Sequence, residues 1–214
     1  MDAAKMNEPE KLISPHGGYE KLQSYQMSVL VYDATVKFCD RFIDPPSPKS
    51  YGAASPASHR SFSATRRPSR MADQMIQAAR SGNKNIAEGS EVSGTSKKSE
   101  LKLVGVARAS LEELLGDYKD FLRQRGLAEW GKVHPMAHVV RRLAYAEHRS
   151  YTTYRTYIEN APPEVAANTM LCLIHQTNYL LDQQKRQLEQ AFLAEGGFTE
   201  RLYRVRSAQR KYSP

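Results

Sequence analysis

The chain is poor in cysteine: Cys39 and Cys172 are its only two, and both fall inside apolar helical patterns. Such cysteines behave as small buried hydrophobes, so no disulfide scaffold is expected and a reducing cytoplasm is the simplest setting. No run of about 18 apolar residues occurs, which speaks against a membrane span. The opening MDAAKMNEPEKLISPHGG holds no apolar stretch of the kind that begins a secretory leader. A convincing period-two strand pattern is missing too, as are a Gly-rich phosphate loop, a nucleophile elbow and a paired zinc motif. A ferritin-like site would need Glu-x-x-His pairs from two helices, and there are none. Enzymatic activity and a cofactor are therefore not expected. Acidic side chains are also in short supply, with 23 against 31 lysines and arginines and a net charge of +8. That balance favours a polyanionic partner, nucleic acid before a membrane surface.

What is present is helical periodicity. Residues 1–18 read as a flexible lead. From Tyr19 to Ile43, Leu22, Tyr25, Val29, Tyr32, Val36, Cys39 and Ile43 recur at steps of three and four, one stripe of a long helix. Pro45, Pro46 and Pro48 stop it, and residues 44–68, rich in Pro, Ser and Ala, form a mobile loop. Ser69 is a plausible N-cap for a second helix with Ala72, Met75, Ile76, Ala79, Asn83 and Ile86 inward, ending where Gly89 supplies a left-handed residue. Ser96 caps a third, whose stripe runs Leu101, Val104, Ala107 or Arg108, Leu111, Leu114 or Leu115, Tyr118 and Leu122 before Gly126. An insertion, 127–163, holds a shorter helix opened by His134-Pro135 and a tyrosine-rich stretch. A last long helix from about Glu164 to Glu195 carries Met170, Ile174, Thr177, Leu181, Gln184, Leu188 and Ala191. The expected fold is all-α: an antiparallel four-helix bundle over 19–195, with the insertion and a basic suffix, 196–214.

The stretch QAARSGNKNIAEG followed by SKKSELKLVGVARASLEELLGDY resembles the signature of a bacterial four-helix-bundle family. Its members are encoded in intervening sequences of 23S ribosomal RNA genes, and the accessory variability protein of diversity-generating retroelements is a relative. The residues that carry the resemblance are Asn85, Ile86, Ala87, Glu88, Gly89, Ser99, Glu100, Ser110, Leu111, Glu113 and Leu114. The stretch 151–184 and FLAEGGFTERLYRVR are similar to the subgroup bearing an added suffix. The resemblance implies an oligomer rather than an enzyme, in the retroelement relative a basic ring-like pentamer that binds nucleic acid and a reverse transcriptase.

Candidate sites follow from charge and aromatic content. Asn85, Glu88 and Gly89 read as structural parts of a helix corner, their polar groups bracing backbone that would otherwise go unpaired. Arg149, Tyr151, Tyr154 and Arg155 interleave rings with guanidinium groups, a pattern suited to base stacking and phosphate contact or to a packing patch. Arg66 and Arg67 lie in the loop, and Arg201, Arg204, Arg206, Arg210 and Lys211 in the suffix face one acid, Glu200. His175, Gln176 and Asn178 form a polar cluster that would specify helix register or a subunit contact. His134 with His138, and Cys172 with His175, have metal-ligand spacing but no further ligand, so no metal is expected. The leading reading is a cytoplasmic oligomer binding RNA or DNA with little sequence selectivity. Its rival is a protein–protein scaffold built on the apolar stripes and HQTNYLLDQQ.

Overall fold

In a computed structural model of the chain, residues 12–13, 16–45, 69–147 and 149–212 are described, and among them all regular structure is helical. The elements are α1 (Gln23–Phe38), α2 (Arg70–Val92), α3 (Lys97–Gln124), α4 (Pro135–Leu143), α5 (Tyr151–Arg155), α6 (Pro163–Glu195) and α7 (Phe198–Tyr212). A 3-10 turn, Tyr19–Lys21, precedes α1, and π-helical turns follow α1 (Cys39–Ile43) and α5 (Thr156–Asn160). Helices α1 to α6 pack together; α2 lies along α3, and α6 contacts both α1 and α3.

Local chemistry sets most of the boundaries. Ser69 Oγ accepts the Ala72 amide at 3.2 Å and Ser96 Oγ the Ser99 amide at 3.1 Å, so both helices start on the serine. Pro135 and Pro163 occupy first turns, where the missing donor costs nothing. Gly126 and Gly196 follow α3 and α6 with φ of 63° and 75°. The suffix forms α7 over its described length.

The α2–α3 contact rests on glycine. A Cβ on Gly82 would fall 2.8 Å from Cγ and Cδ2 of the buried Leu111, and one on Gly89 would fall 3.4 Å from the Leu103 Cβ. The backbones approach because nothing stands between them. This overturns the expected role of Gly89: the helix runs past it to Val92, and the turn is made by residues 93–96. Packing against α3 holds Gly89 in the helix, and its lack of a side chain serves closeness rather than a left-handed turn.

Helix α1 buries a different face from the expected stripe. Met27, Val31, Ala34 and Phe38 are fully buried with Ser24, Ser28 and Thr35, while Leu22, Tyr25, Val29, Tyr32 and Val36 are only half-buried. The polar residues enter the core because each finds a partner on another long helix. Ser24 Oγ donates to Gln184 Oε1 of α6 at 2.6 Å, and Asn83 Nδ2 of α2 donates to Ser28 Oγ at 3.0 Å. The Tyr118 hydroxyl of α3 donates to Thr35 Oγ1 at 3.1 Å. Misaligning any of these helices would strand a buried polar group, at about 1–3 kcal/mol each, so the three pairs define register.

The insertion is stapled by Asn168, 1% exposed. Its Nδ2 donates to the carbonyls of Ala128 (2.8 Å) and Glu164 (2.9 Å), and its Oδ1 accepts the Trp130 amide at 2.8 Å. Arg41 Nη1 donates to the Ile158 carbonyl and Nη2 to that of Ala161 at 3.2 Å, which ties the π turn after α5 to the one after α1. The lead is held at its end. Gly17 N donates to the Ser90 carbonyl and Ser90 Oγ to the Gly17 carbonyl, both at 3.0 Å. Both cysteines are buried and free, and burial pushes the Cys39 thiol up to about 12.

Candidate functional site

A groove of about 430 Å³ opens where the start of α1, the end of α4 and the middle of α6 meet. Met27 and Leu180 give it an apolar floor, and Tyr145 and Tyr179, 88% and 62% exposed, stand at its edge. Two guanidinium groups line it. Arg149 donates from Nη1 to the Ala144 carbonyl at 2.6 Å and from Nη2 to Gln23 Oε1 at 2.8 Å. Arg141 donates from Nη2 to the Lys132 carbonyl. These oxygens are uncharged, so the contacts fix the guanidinium planes without neutralising them, and among the described residues no carboxylate lines the groove. Arg141 and Arg142 close α4, where cations suit the negative end of the helix dipole. His175, also on the groove, is pushed below its ordinary value by desolvation and then by Lys119.

Of the tyrosine–arginine cluster, Arg149 alone reaches this groove. Tyr154 is fully buried, its hydroxyl has no partner among the described residues, and burial pushes the phenol up to about 12. Tyr151 is half-buried and donates to Glu159 Oε1 at 3.0 Å; burial raises its phenol as well. Arg155 is paired through Nε with Glu159 Oε2 at 3.0 Å. Of the two readings of this stretch, packing fits Tyr154, which its short helix turns into the core, while Glu159 takes up Tyr151 and Arg155. Tyr145 and Tyr179 were not picked out from the sequence because they sit on different elements. The Arg141-Arg142 pair at the end of α4 was a usable signal.

The suffix arginines divide. Arg201 is 6% exposed and donates to the Leu12 carbonyl at 3.4 Å, so it belongs to the interior and not to a phosphate-binding surface. Its neighbour Arg204 reaches the Glu195 carbonyl at 3.3 Å. Arg206 and Arg210 are exposed and share a shallow hollow of about 340 Å³ with Tyr203, 74% exposed. Of Lys211 the helical backbone is described; Arg66 and Arg67 lie outside the described residues.

The remaining candidates have separate surroundings. Asn85 Nδ2 donates to the Ser81 carbonyl at 2.8 Å and to Ser81 Oγ at 3.1 Å, and the two hydroxyls of Ser81 and Ser110 meet at 3.0 Å across α2 and α3. Glu88 is exposed and, among the described residues, braces nothing. His175, Gln176 and Asn178 do not converge. Gln176 Nε2 donates to the Arg141 carbonyl at 3.0 Å, tying α6 to α4, whereas Asn178 Nδ2 donates to Glu112 Oε2 of α3 at 3.2 Å. His134 stacks on Trp130 at 4.8 Å, His138 is exposed, and Cys172 is buried. Among the described residues no three His, Cys, Asp or Glu side chains are grouped to hold a metal ion.

The fold and site define an all-helical protein with a basic, aromatic-edged groove. Among the described residues no helix is long and apolar enough to cross a membrane. Comparison of the chain with protein families, with curated proteins and with solved structures finds no match.

Proposed function

We propose that this is a non-enzymatic, oligomeric protein that binds RNA or DNA through its basic surfaces in the cytoplasm. Its framework is an antiparallel four-helix bundle of α1, α2, α3 and α6, with α4 and α5 as the insertion and α7 as the suffix. The observation that carries the reading is the state of the groove arginines. Arg141 and Arg149 are held in place by uncharged oxygens, so their positive charge remains available to an anion. Exposed Arg206 and Arg210 extend the basic surface. Assembly would bring such patches from several subunits side by side and multiply the local field. The sequence resemblance adds a pentamer as the expected assembly and a reverse transcriptase as the kind of partner it could serve.

Contacts to phosphate read no sequence, so binding is of low selectivity and falls with salt as counterions are released. A fluorescence-anisotropy titration at rising salt tests this. The expected result is a straight line of log affinity against log salt, steep enough to lose orders of magnitude between about 50 and 200 mM. No binding of single-stranded or duplex nucleic acid at the lower salt would remove the proposal.

One observation favours the rival, a self-association or scaffold role. Leu193, 78% exposed, and Tyr203 leave apolar surface in solvent where α6 passes into α7. Light scattering with a Leu193→Asp variant separates the two. Loss of assembly with nucleic-acid affinity per subunit retained places the surfaces in different roles.

A further inference from the structure

We infer that the groove between α1, α4 and α6 receives an unpaired nucleobase, so that the protein selects single-stranded over duplex nucleic acid. This rests on the nucleic-acid reading and goes beyond it, since charge alone attracts both forms. A duplex turns phosphates outward and keeps its base faces stacked. A surface that met only phosphates would have no use for an apolar floor or for projecting rings. This groove has both, with Met27 and Leu180 beneath and Tyr145 and Tyr179 at the edge. Its volume of about 430 Å³ lies within the range of about 300–1,000 Å³ of small-molecule pockets, enough for a base with its sugar.

The arginines complete the match. A guanidinium carries five N–H donors. Arg149 commits one from Nη1 and one from Nη2 to protein oxygens, and Arg141 commits one from Nη2. Both keep donors for a phosphate attached to the seated base, and the bonds already made orient them before the ligand arrives. A base has a π-face whatever its identity, so an aromatic edge beside fixed cations takes any sequence. The combination describes a nucleotide with its base unpaired.

The test compares 5′-labelled single strands of DNA and of RNA, each about 20 nucleotides and so longer than site sizes of about 4–16 nucleotides, with the matching duplex by anisotropy at one low salt concentration. The wild-type chain is expected to bind single strands about tenfold or more tighter than duplex. Tyr145→Ala/Tyr179→Ala should lose about tenfold or more on single strands, the stacking of a base, with duplex binding unchanged. Tyr145→Phe/Tyr179→Phe keeps the rings and should restore affinity. Both tyrosines are exposed, so helix content by circular dichroism is expected to hold in every variant. Wild-type duplex binding as tight as single-strand binding overturns the inference and leaves the nucleic-acid reading standing. So does an alanine pair that binds single strands like wild type. No wild-type binding to any of the probes overturns both. DNA and RNA arms that agree support recognition through base and phosphate; an RNA-only response would add the 2′-hydroxyl and still support the groove.

Discussion

Replacing Gly82 by alanine tests the closeness of α2 and α3 directly. The added Cβ would sit 2.8 Å from Cγ and Cδ2 of Leu111 and 3.5 Å from the Ala107 carbonyl oxygen. Carbon atoms prefer about 3.5–4.0 Å, so Leu111 must turn within a filled core or the helices must part by roughly an ångström. Overpacking of this kind costs about 1–3 kcal/mol. Against it stands a gain of about 0.5–1 kcal/mol, because alanine is the better helix former. Gly116 of α3 separates the two effects, since a Cβ there meets nothing within 4 Å. Gly116→Ala should therefore stabilise by about 0.5–1 kcal/mol, and Gly82→Ala should fall below it by the packing term, about 1–3 kcal/mol. Urea unfolding gives the difference, and thermal melts should show it at about 2–4 °C per kcal/mol. A Leu111→Ala background should relieve the clash, so that the two substitutions cost less together than their sum. Equal stabilisation by Gly82→Ala and Gly116→Ala would refute the close approach.

Three further outcomes follow from buried polar groups. Asn168→Ala removes three hydrogen bonds and should cost about 2–4 kcal/mol in urea unfolding, with insertion amides exchanging faster; a loss below about 1 kcal/mol would mean the staple is dispensable. Tyr154→Phe removes a hydroxyl that is buried without a partner, so stability should be unchanged or higher, and a loss above about 1 kcal/mol would reveal a bond to that oxygen. Glu100, 7% exposed with Oε2 unpartnered, has its carboxyl pushed above the ordinary 4.5 by burial, with Lys97 partly opposing. The folded state then holds its proton more tightly than the unfolded chain, so stability falls as pH rises from about 4.5 through the folded value. Glu100→Gln should flatten that decline and raise the urea midpoint at neutral pH; an unchanged pH profile would show that Glu100 does not titrate differently on folding.

Much of the architecture was legible because helix ends obey local rules. Ser69 and Ser96 cap with their own side chains, Pro135 and Pro163 occupy positions that need no donor, and Gly126 and Gly196 take left-handed backbone. The inward faces of α2 and α3 follow the apolar period. Helix α1 departs from its period because it admits Ser24, Ser28 and Thr35 beside polar partners on three other helices. Binary patterning counts these residues as polar and turns the helix the wrong way. The same limit explains the tyrosines, since spacing says that Tyr151 and Tyr154 lie near one another but not that one is swallowed and its neighbour tied to Glu159.

By itself, then, the amino-acid order determined a helical chain, where most of its helices start and stop, and a net positive charge. These depend on backbone geometry within a few residues and on composition. Only the tertiary structure decided which cations stay available. It buried Arg201, paired Arg155 with Glu159, and brought Arg141, Arg149, Tyr145 and Tyr179 to one groove from separate elements. Exposure is a property of neighbours in space, and the groove's neighbours come from separate elements of the chain.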